Sequence, residues 1–482
     1  MTTPQRPHVL LITMDELRKD SLSCYGQQAI RTPHLDALAR CGTQFANAYT
    51  VSPLCLPSRS SILTGLYPHN SRAYSNFRQC ALSPKLPNLY NQLKAAGYFT
   101  AHVGKCHYTP APYSKTSPDA TLDLENVKDF YMSLGMDHLD LQNGKNNSVY
   151  WWNDYSRQLE AAGYLAEYRR LAWAKKETGR IFPFPGPADW HPDAWVGRKA
   201  VEFIESHDAT MPRFMWASFG GPHYPFDAPE EYYSRVNMDK VALGVFKEGE
   251  FDPSQNKIQA PAYLGGGERM GLAEGKNSAP DFACKNYTDD YWRRLTRAYL
   301  ANVALIDDWI GKILAAAQAA YGDNVLVVFT SDHGDMLGNH RLWGKNSCGY
   351  EDIVRVPLIV RFPQQSEHKA SDARVMLTDI MPTCLSVAGA APVATDGRDL
   401  RQSMTDGGYP YVLSECDGML IVTDGRYKYI QYDQAGRALR EAYDLVADPN
   451  EFDNVIDDPA HAREISRLQS ALAGFFMKDY LK

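Results

Sequence analysis

Four short apolar runs in this chain stop abruptly at charged or titratable residues. Val9-Leu10-Leu11-Ile12-Thr13 leads into Met14-Asp15-Glu16, and Phe99-Thr100-Ala101-His102-Val103 into Gly104-Lys105-Cys106-His107. Phe214 to Phe219 leads into Gly220-Gly221-Pro222-His223, and Val325 to Phe329 into Thr330-Ser331-Asp332-His333-Gly334-Asp335. Continuous apolar runs of this length suit strands covered on both faces of a parallel sheet. Helical spacing lies between them, clearest where Trp292, Leu295, Tyr299, Val303, Ile306, Ile310 and Ile313 recur every three or four residues. Alternating strands and helices predict an α/β fold: a large, mostly parallel sheet sandwiched by helices. In such a sheet the ligand crevice lies beyond the carboxyl ends of the strands, so the four polar ends converge there.

Any one of these groups alone reads as a turn or a helix cap. Four on one rim, with at least two Asp, three His and a Lys, demand more, because clustered carboxylates repel unless a cation neutralises them. The chemistry predicts a divalent metal held mainly by carboxylate oxygen, with His and Lys placed to receive an anion.

Other function classes are excluded by composition. The formal charge is -7, with 50 Lys plus Arg against 57 Asp plus Glu, and no basic block is present, so nucleic acid is not an expected partner. No apolar run reaches the ~18 residues of a membrane span, and the first residues lead straight into a strand, so the expected location is cytoplasmic. The 9 cysteines are scattered without a Cys-x-x-Cys pair, which argues against a disulfide framework or a structural zinc site.

One cysteine stands apart. Ser52 to Gly65 reads as a loop entering a helix, with Pro57 in the first turn, Gly65 at the end and Cys55 just ahead of the N-terminus. A helix start favours a bound tetrahedral anion and depresses a thiol pKa. On these grounds Cys55 is a thiolate nucleophile, a metal ligand or a structural cysteine.

Cys55-Leu56-Pro57-Ser58-Arg59 followed by Leu63-Thr64-Gly65 resembles the signature of the sulfatase family, in which that cysteine is oxidised to formylglycine. The resemblance extends to Gly104-Lys105-x-His107, Pro222-His223-x-Pro225, Ser331 to Asp335, Leu342-Trp343-Gly344-Lys345 and Arg355 to Val360. It also takes in Asp424-Gly425-Arg426-Tyr427-Lys428-Tyr429-Ile430 and Tyr443-Asp444-Leu445-x-x-Asp448-Pro449-x-Glu451, which look like the family's small C-terminal sheet. It therefore implies a catalytic domain over 1–395, carrying an aromatic-rich insertion at 108–200, and a C-terminal α+β subdomain with an antiparallel sheet over 396–482.

The resemblance further implies one divalent metal, Ca²⁺ or Mn²⁺, on Asp15, Asp332, His333 and the modified side chain at 55. Arg59 would hold the formylglycine alkoxide, Lys105 and Lys345 the non-bridging oxygens, and His223 with Lys345 would protonate the leaving group. His107 would take the proton whose loss releases sulfate. Glu16 stands as an outer ligand or a hydrogen-bond partner. Implied partners are a small-molecule sulfate or phosphonate ester, a formylglycine-generating maturation enzyme and a second copy of the chain in a homo-oligomer.

Two features depart from the arylsulfatase pattern. Asp15-Glu16 stands where two adjacent Asp are common, and Asp332-His333 where Asp-Asn is common. Both resemble the branch of choline sulfatases and phosphonate monoester hydrolases, and Asn76 is similar to a substrate-binding Asn of the phosphonate enzymes. Lys105 and His107 are as sulfatases have them. Within the insertion, Trp151 and Trp152 lie in a polar stretch and are candidate pocket residues, suited to an aromatic cage, whereas the other aromatics there are expected to be core. The expected activity is hydrolysis of sulfate monoesters. The alternatives are a phosphonate monoester or phosphodiester hydrolase with the same site, and a non-catalytic anion-binding protein with unmodified Cys55. His107 and His223, needed only for turnover, argue against the last.

Overall fold

The computed structural model describes residues 6–76, 80–109, 122–123, 125–148, 151–174, 181–206, 211–255, 257–264, 284–345, 348–434 and 437–480. An eight-stranded sheet runs through its centre. In chain order its strands are β1 (His8–Asp15), β2 (Thr43–Tyr49), β3 (Phe99–Gly104), β4 (His138–Leu141), β5 (Arg213–Pro222), β6 (Val325–Ser331), β7 (Arg355–Arg361) and β8 (Lys369–Met376). Their spatial order is β8-β2-β7-β6-β1-β5-β3-β4. Only β7 runs against its neighbours, which leaves β6, β1, β5 and β3 as adjacent parallel strands. These are the four strands with polar ends, so their carboxyl termini share one rim.

Alternation along β1 explains why the sheet is covered on both sides. Leu10, Ile12 and Met14 enter one core with Leu295, Ile306 and Trp195, while Val9 and Leu11 enter the other with Leu56, Ile62 and Trp216. Both sets are at most 2% exposed. Truncating one such side chain, Ile12→Ala for example, costs ~2–5 kcal/mol.

Four helices matter for the site: α1 (Pro33–Arg40), α2 (Cys55–Thr64), α3 (Pro192–Ser206) and α4 (Asp289–Tyr321). The long α4 carries the predicted stripe and buries it against α3, α1 and β5. The predicted aromatic core of the insertion is also present: Tyr155, Phe182, Phe184 and Trp195 are buried in the same cluster as α4, and Tyr168 joins them.

A second sheet closes the chain. Strands β9 (Val412–Cys416), β10 (Met419–Thr423), β11 (Tyr427–Gln434) and β12 (Arg437–Asp444) pair antiparallel in sequence order, and the helix Ala462–Tyr480 packs on β10 and β11. The expected α/β body and smaller antiparallel unit are both observed. Among the described residues no helix is long and apolar enough to cross a membrane.

Candidate active site

The site is built from the ends of the four parallel strands and the first turn of α2. The backbone turns sharply at two of these ends: Glu16 has φ 64 and His107 φ 58, a left-handed conformation that non-glycine residues adopt only at a cost. At Glu16 the turn is fixed from two sides, because its N–H donates to Asp332 Oδ1 at 3.0 Å and its carbonyl accepts from Tyr299 at 2.7 Å. Gly104 ends β3 at φ 106, and a Cβ there would lie 2.0 Å from the Ser218 carbonyl oxygen. That close approach lets the Lys105 N–H reach the same carbonyl at 2.9 Å.

Helix α2 begins one residue earlier than the sequence suggests. The Leu54 carbonyl accepts from Ser58 N–H at 3.1 Å, so Cys55 is the first helical residue instead of lying just ahead of it. Gly65 ends the helix at φ 67, as expected. Asn76 Oδ1 accepts from the Leu56 N–H at 2.9 Å, satisfying a donor of the first turn.

Asp15, Cys55, Asp332 and His333 are buried, and each offers a ligand atom within 4.8 Å of all the others. Cys55 Sγ lies 3.2 Å from His333 Nε2. The Nδ1 of His333 is 2.9 Å from the Gly334 carbonyl, which fixes it as the donor nitrogen and leaves Nε2 facing the cluster. Two carboxylate oxygens of the site, Asp15 Oδ1 and Glu16 Oε1, are buried without a hydrogen-bond partner among the described residues. Orphaned carboxylate oxygen beside a thiol and an imidazole nitrogen is the donor set of a divalent cation site, so these residues fit a metal.

Cations surround the cluster. Arg59 donates through Nε to Asp332 Oδ2 at 2.8 Å, stands 3.6 Å from Asp15 Oδ1, and donates through Nη1 to the Lys105 carbonyl at 3.0 Å and to Ser218 Oγ at 2.7 Å. Lys105 Nζ pairs with Asp15 Oδ2. Glu16 is not one of the four ligand residues. Its Oε2 lies 3.2 Å from both His223 Nε2 and Lys345 Nζ, holding those two groups side by side. Both nitrogens of His107 are buried, and the Cys55 sulfur is the neighbour that favours its proton, by hydrogen bond first and by charge second.

The protonation states follow from this crowding. Burial opposes ionisation of Asp15 and of Cys55, but Lys105 and other cations outweigh it and hold both groups well below their usual ranges. Burial pushes Glu16 up to about 8 and raises Asp332 as well. For His333 burial disfavours the charge, yet Asp332 and Cys55 prevail and set it at about 9. Burial keeps His107 and His223 below the ordinary imidazole value, with Lys345 adding to the effect at His223.

Nine predicted residues therefore meet: Asp15, Cys55, Arg59, Lys105, His107, His223, Asp332, His333 and Lys345. Trp151 and Trp152 have other company. Trp151 is 1% exposed within the α4 core, and Trp152 lies under the guanidinium groups of Arg157 and Arg169. Three supporting residues were given no role from the sequence: Ser218, which joins Arg59 to the Lys105 carbonyl; Ser58, which donates to the Asp332 carbonyl at 2.6 Å; and Asp335, which accepts from Leu337 N–H at 2.6 Å and Gly344 N–H at 2.9 Å. The signal at Ser218 was a small hydroxyl inside an otherwise apolar run.

The sulfatase family model matches residues 7–390. The chain belongs to the sulfatase family. A second model, N-sulphoglucosamine sulphohydrolase, C-terminal, matches residues 338–477. Among curated relatives of this sulfatase, the multifunctional alkaline phosphatase superfamily protein PehA of Trinickia caryophylli is 27% identical, over 95% of this chain and 92% of that protein. An arylsulfatase of Clostridium perfringens is 26% identical over 97% and 94%. The phosphonate monoester hydrolase of Agrobacterium radiobacter superposes with a TM-score of 0.78 at 22% identity, covering 98% of this chain and 96% of that one, which establishes the shared fold.

Proposed function

We propose that this sulfatase hydrolyses sulfate monoesters with residue 55 as formylglycine, installed on Cys55 by a maturation enzyme, beside one divalent ion. The observation that carries the reading is the first turn of α2, where Cys55 stands in a four-residue ligand cluster ringed by Arg59, Lys105 and Lys345. The Cys55 sulfur stands in for the oxygens that a formylglycine would carry. In the net reaction water cleaves the sulfur–oxygen ester bond, giving the alcohol, sulfate and a proton. Asp15, Asp332, His333 and the side chain at 55 would hold the ion. Bound there, the ion would lower the pKa of one hydroxyl of the hydrated aldehyde at residue 55, readying it as the nucleophile toward sulfur, and the second hydroxyl would be the one whose deprotonation releases sulfate.

The remaining work belongs to side chains. Arg59, fixed by Asp332, Asp15 and Ser218, compensates negative charge at residue 55. Lys105 and Lys345 bind the non-bridging oxygens, whose charge must be stabilised in a loose transition state. His223 and Lys345, kept adjacent by Glu16, deliver the proton that the departing alkoxide needs. His107, neutral and beside the residue 55 side chain, accepts the proton at residue 55 that frees sulfate.

A second reading, phosphonate monoester or phosphodiester hydrolysis at the same site, draws support from the PehA relative and the phosphonate hydrolase fold. It also draws on Asn76 at the helix start, where a substrate oxygen would lie. A panel of aryl sulfates, aryl phosphonates and phosphodiesters, assayed on matured enzyme, decides between them. The highest kcat/KM is expected on sulfates, and a preference for phosphonates or diesters would promote the second reading.

A further inference from the structure

Two C-terminal motif residues, Lys428 and Glu451, lie outside the cluster yet are buried as completely as anything in it: Lys428 is 0% and Glu451 2% exposed. Lys428 on β11 projects its amine between two carboxylates, 2.8 Å from Glu451 Oε1 and 2.8 Å from Glu351 Oε1. The same amine donates to the Gly349 carbonyl at 3.0 Å. Glu451 returns to this segment, its Oε2 accepting from the Glu351 N–H at 2.7 Å. Glu451 has φ 58, and the Lys257 amine donates to its carbonyl at 2.9 Å, so a strained turn is held in a fixed place.

The gripped residues, Gly349 and Glu351, lie four and six positions after Lys345. Cys348 N–H donates to the Lys345 carbonyl at 2.7 Å, and Gly349 comes so close to β10 and β11 that a Cβ would lie 2.9 Å from Ile430 Cδ1. On the other side Gly344 N–H is held by Asp335. A buried ion pair is weak evidence for stability, because desolvation offsets most of its attraction. What it does provide is a fixed geometry, and here it fixes a backbone carbonyl four residues from a cation of the site.

We propose that Lys428, with Glu451, is a positioning residue for Lys345, so that the C-terminal sheet sets the reach of a substrate-binding cation on the main sheet's rim. The inference rests on the proposed role of Lys345 beside the leaving oxygen. If the role is right, loosening the segment weakens proton delivery, and poor leaving groups suffer more than good ones. A general loss of folded enzyme would lower all substrates alike.

The test compares kcat/KM for phenyl sulfate and 4-nitrophenyl sulfate in wild type, Lys345→Ala, Lys428→Met and the double variant, all full length. Lys428→Met is expected to lose at least about tenfold on phenyl sulfate but only about threefold on 4-nitrophenyl sulfate. Added to Lys345→Ala it should cause no further loss, since both changes remove one interaction. Equal losses on both substrates, no loss, or full additivity with Lys345→Ala overturn the proposal. If Lys345→Ala itself leaves the leaving-group dependence unchanged, the assignment of Lys345 fails and the proposal with it. Should Lys428→Met not fold, Glu451→Gln decides by the same pattern, since it keeps the volume and frees one side of the amine.

Discussion

Cys55 Sγ stands 3.2 Å from His333 Nε2, so the first residue of a helix and a residue two positions past the end of a strand from the far side of the sequence offer neighbouring ligand atoms to one cation. A proton lies in the way of any cation there. His333, held at about 9, and its neighbour Glu16, at about 8, both carry protons at neutral pH before a cation arrives.

Metal binding should therefore release protons and strengthen as pH rises. The sign follows from the raised values: below about pH 8 both groups are protonated in the free protein, and the cation must displace hydrogen from imidazole at least. Calorimetric titration of protein with Cys55 unconverted, whose sulfur helps hold His333 high, with Mn²⁺ or Ca²⁺ in two buffers of different ionisation enthalpy is expected to count about one to two protons released near pH 7. Elemental analysis should find one ion per chain, lost in Asp332→Asn. Proton-neutral binding, or two bridged zinc ions, would contradict the site.

Arg59 answers to two carboxylates at once, Asp332 at 2.8 Å and Asp15 at 3.6 Å, with all three side chains at most 1% exposed. Removing it as Arg59→Leu leaves uncompensated buried charge, and the metal-free protein should lose about 3–5 kcal/mol in urea unfolding. Arg59→Lys keeps the charge but not the simultaneous bonds to Asp332, Ser218 and the Lys105 carbonyl. Its turnover should fall by about a hundredfold with a smaller stability loss. Wild-type activity in Arg59→Lys would show that only charge matters there.

Lys105 is expected to separate the two substrate classes. A phosphonate or diester replaces a non-bridging oxygen with carbon or an ester group, and the cation facing it loses an acceptor. Lys105→Ala should therefore lower sulfatase activity more than phosphonate activity. Equal losses measured on both substrates would remove Lys105 from that oxygen.

The strand ends were legible in the sequence because each carries its signal locally: an apolar run followed at once by Asp, His or Lys. The rim followed from topology, since four adjacent parallel strands put those ends together. What the sequence concealed was who holds whom. Glu16 was open between ligand and hydrogen-bond partner, and only the fold brings its Oε2 between His223 and Lys345. Ser218 and Asp335 support the site through bonds to backbone and guanidinium, which leave no periodic pattern. Trp151 was a pocket candidate on the strength of its polar neighbours, but burial depends on the helices that close over it.

Whether residue 55 becomes formylglycine is addressed directly by one experiment: mass analysis of the peptide spanning Cys55 to Arg59, paired with turnover on the same preparations. Conversion exchanges sulfur and two hydrogens for one oxygen, so the modified fraction can be read from each sample. Sulfatase activity is expected to rise in proportion to that fraction and to vanish in Cys55→Ala, whose melting temperature stays near wild type. A fully active preparation in which residue 55 is an intact thiol would contradict the mechanism.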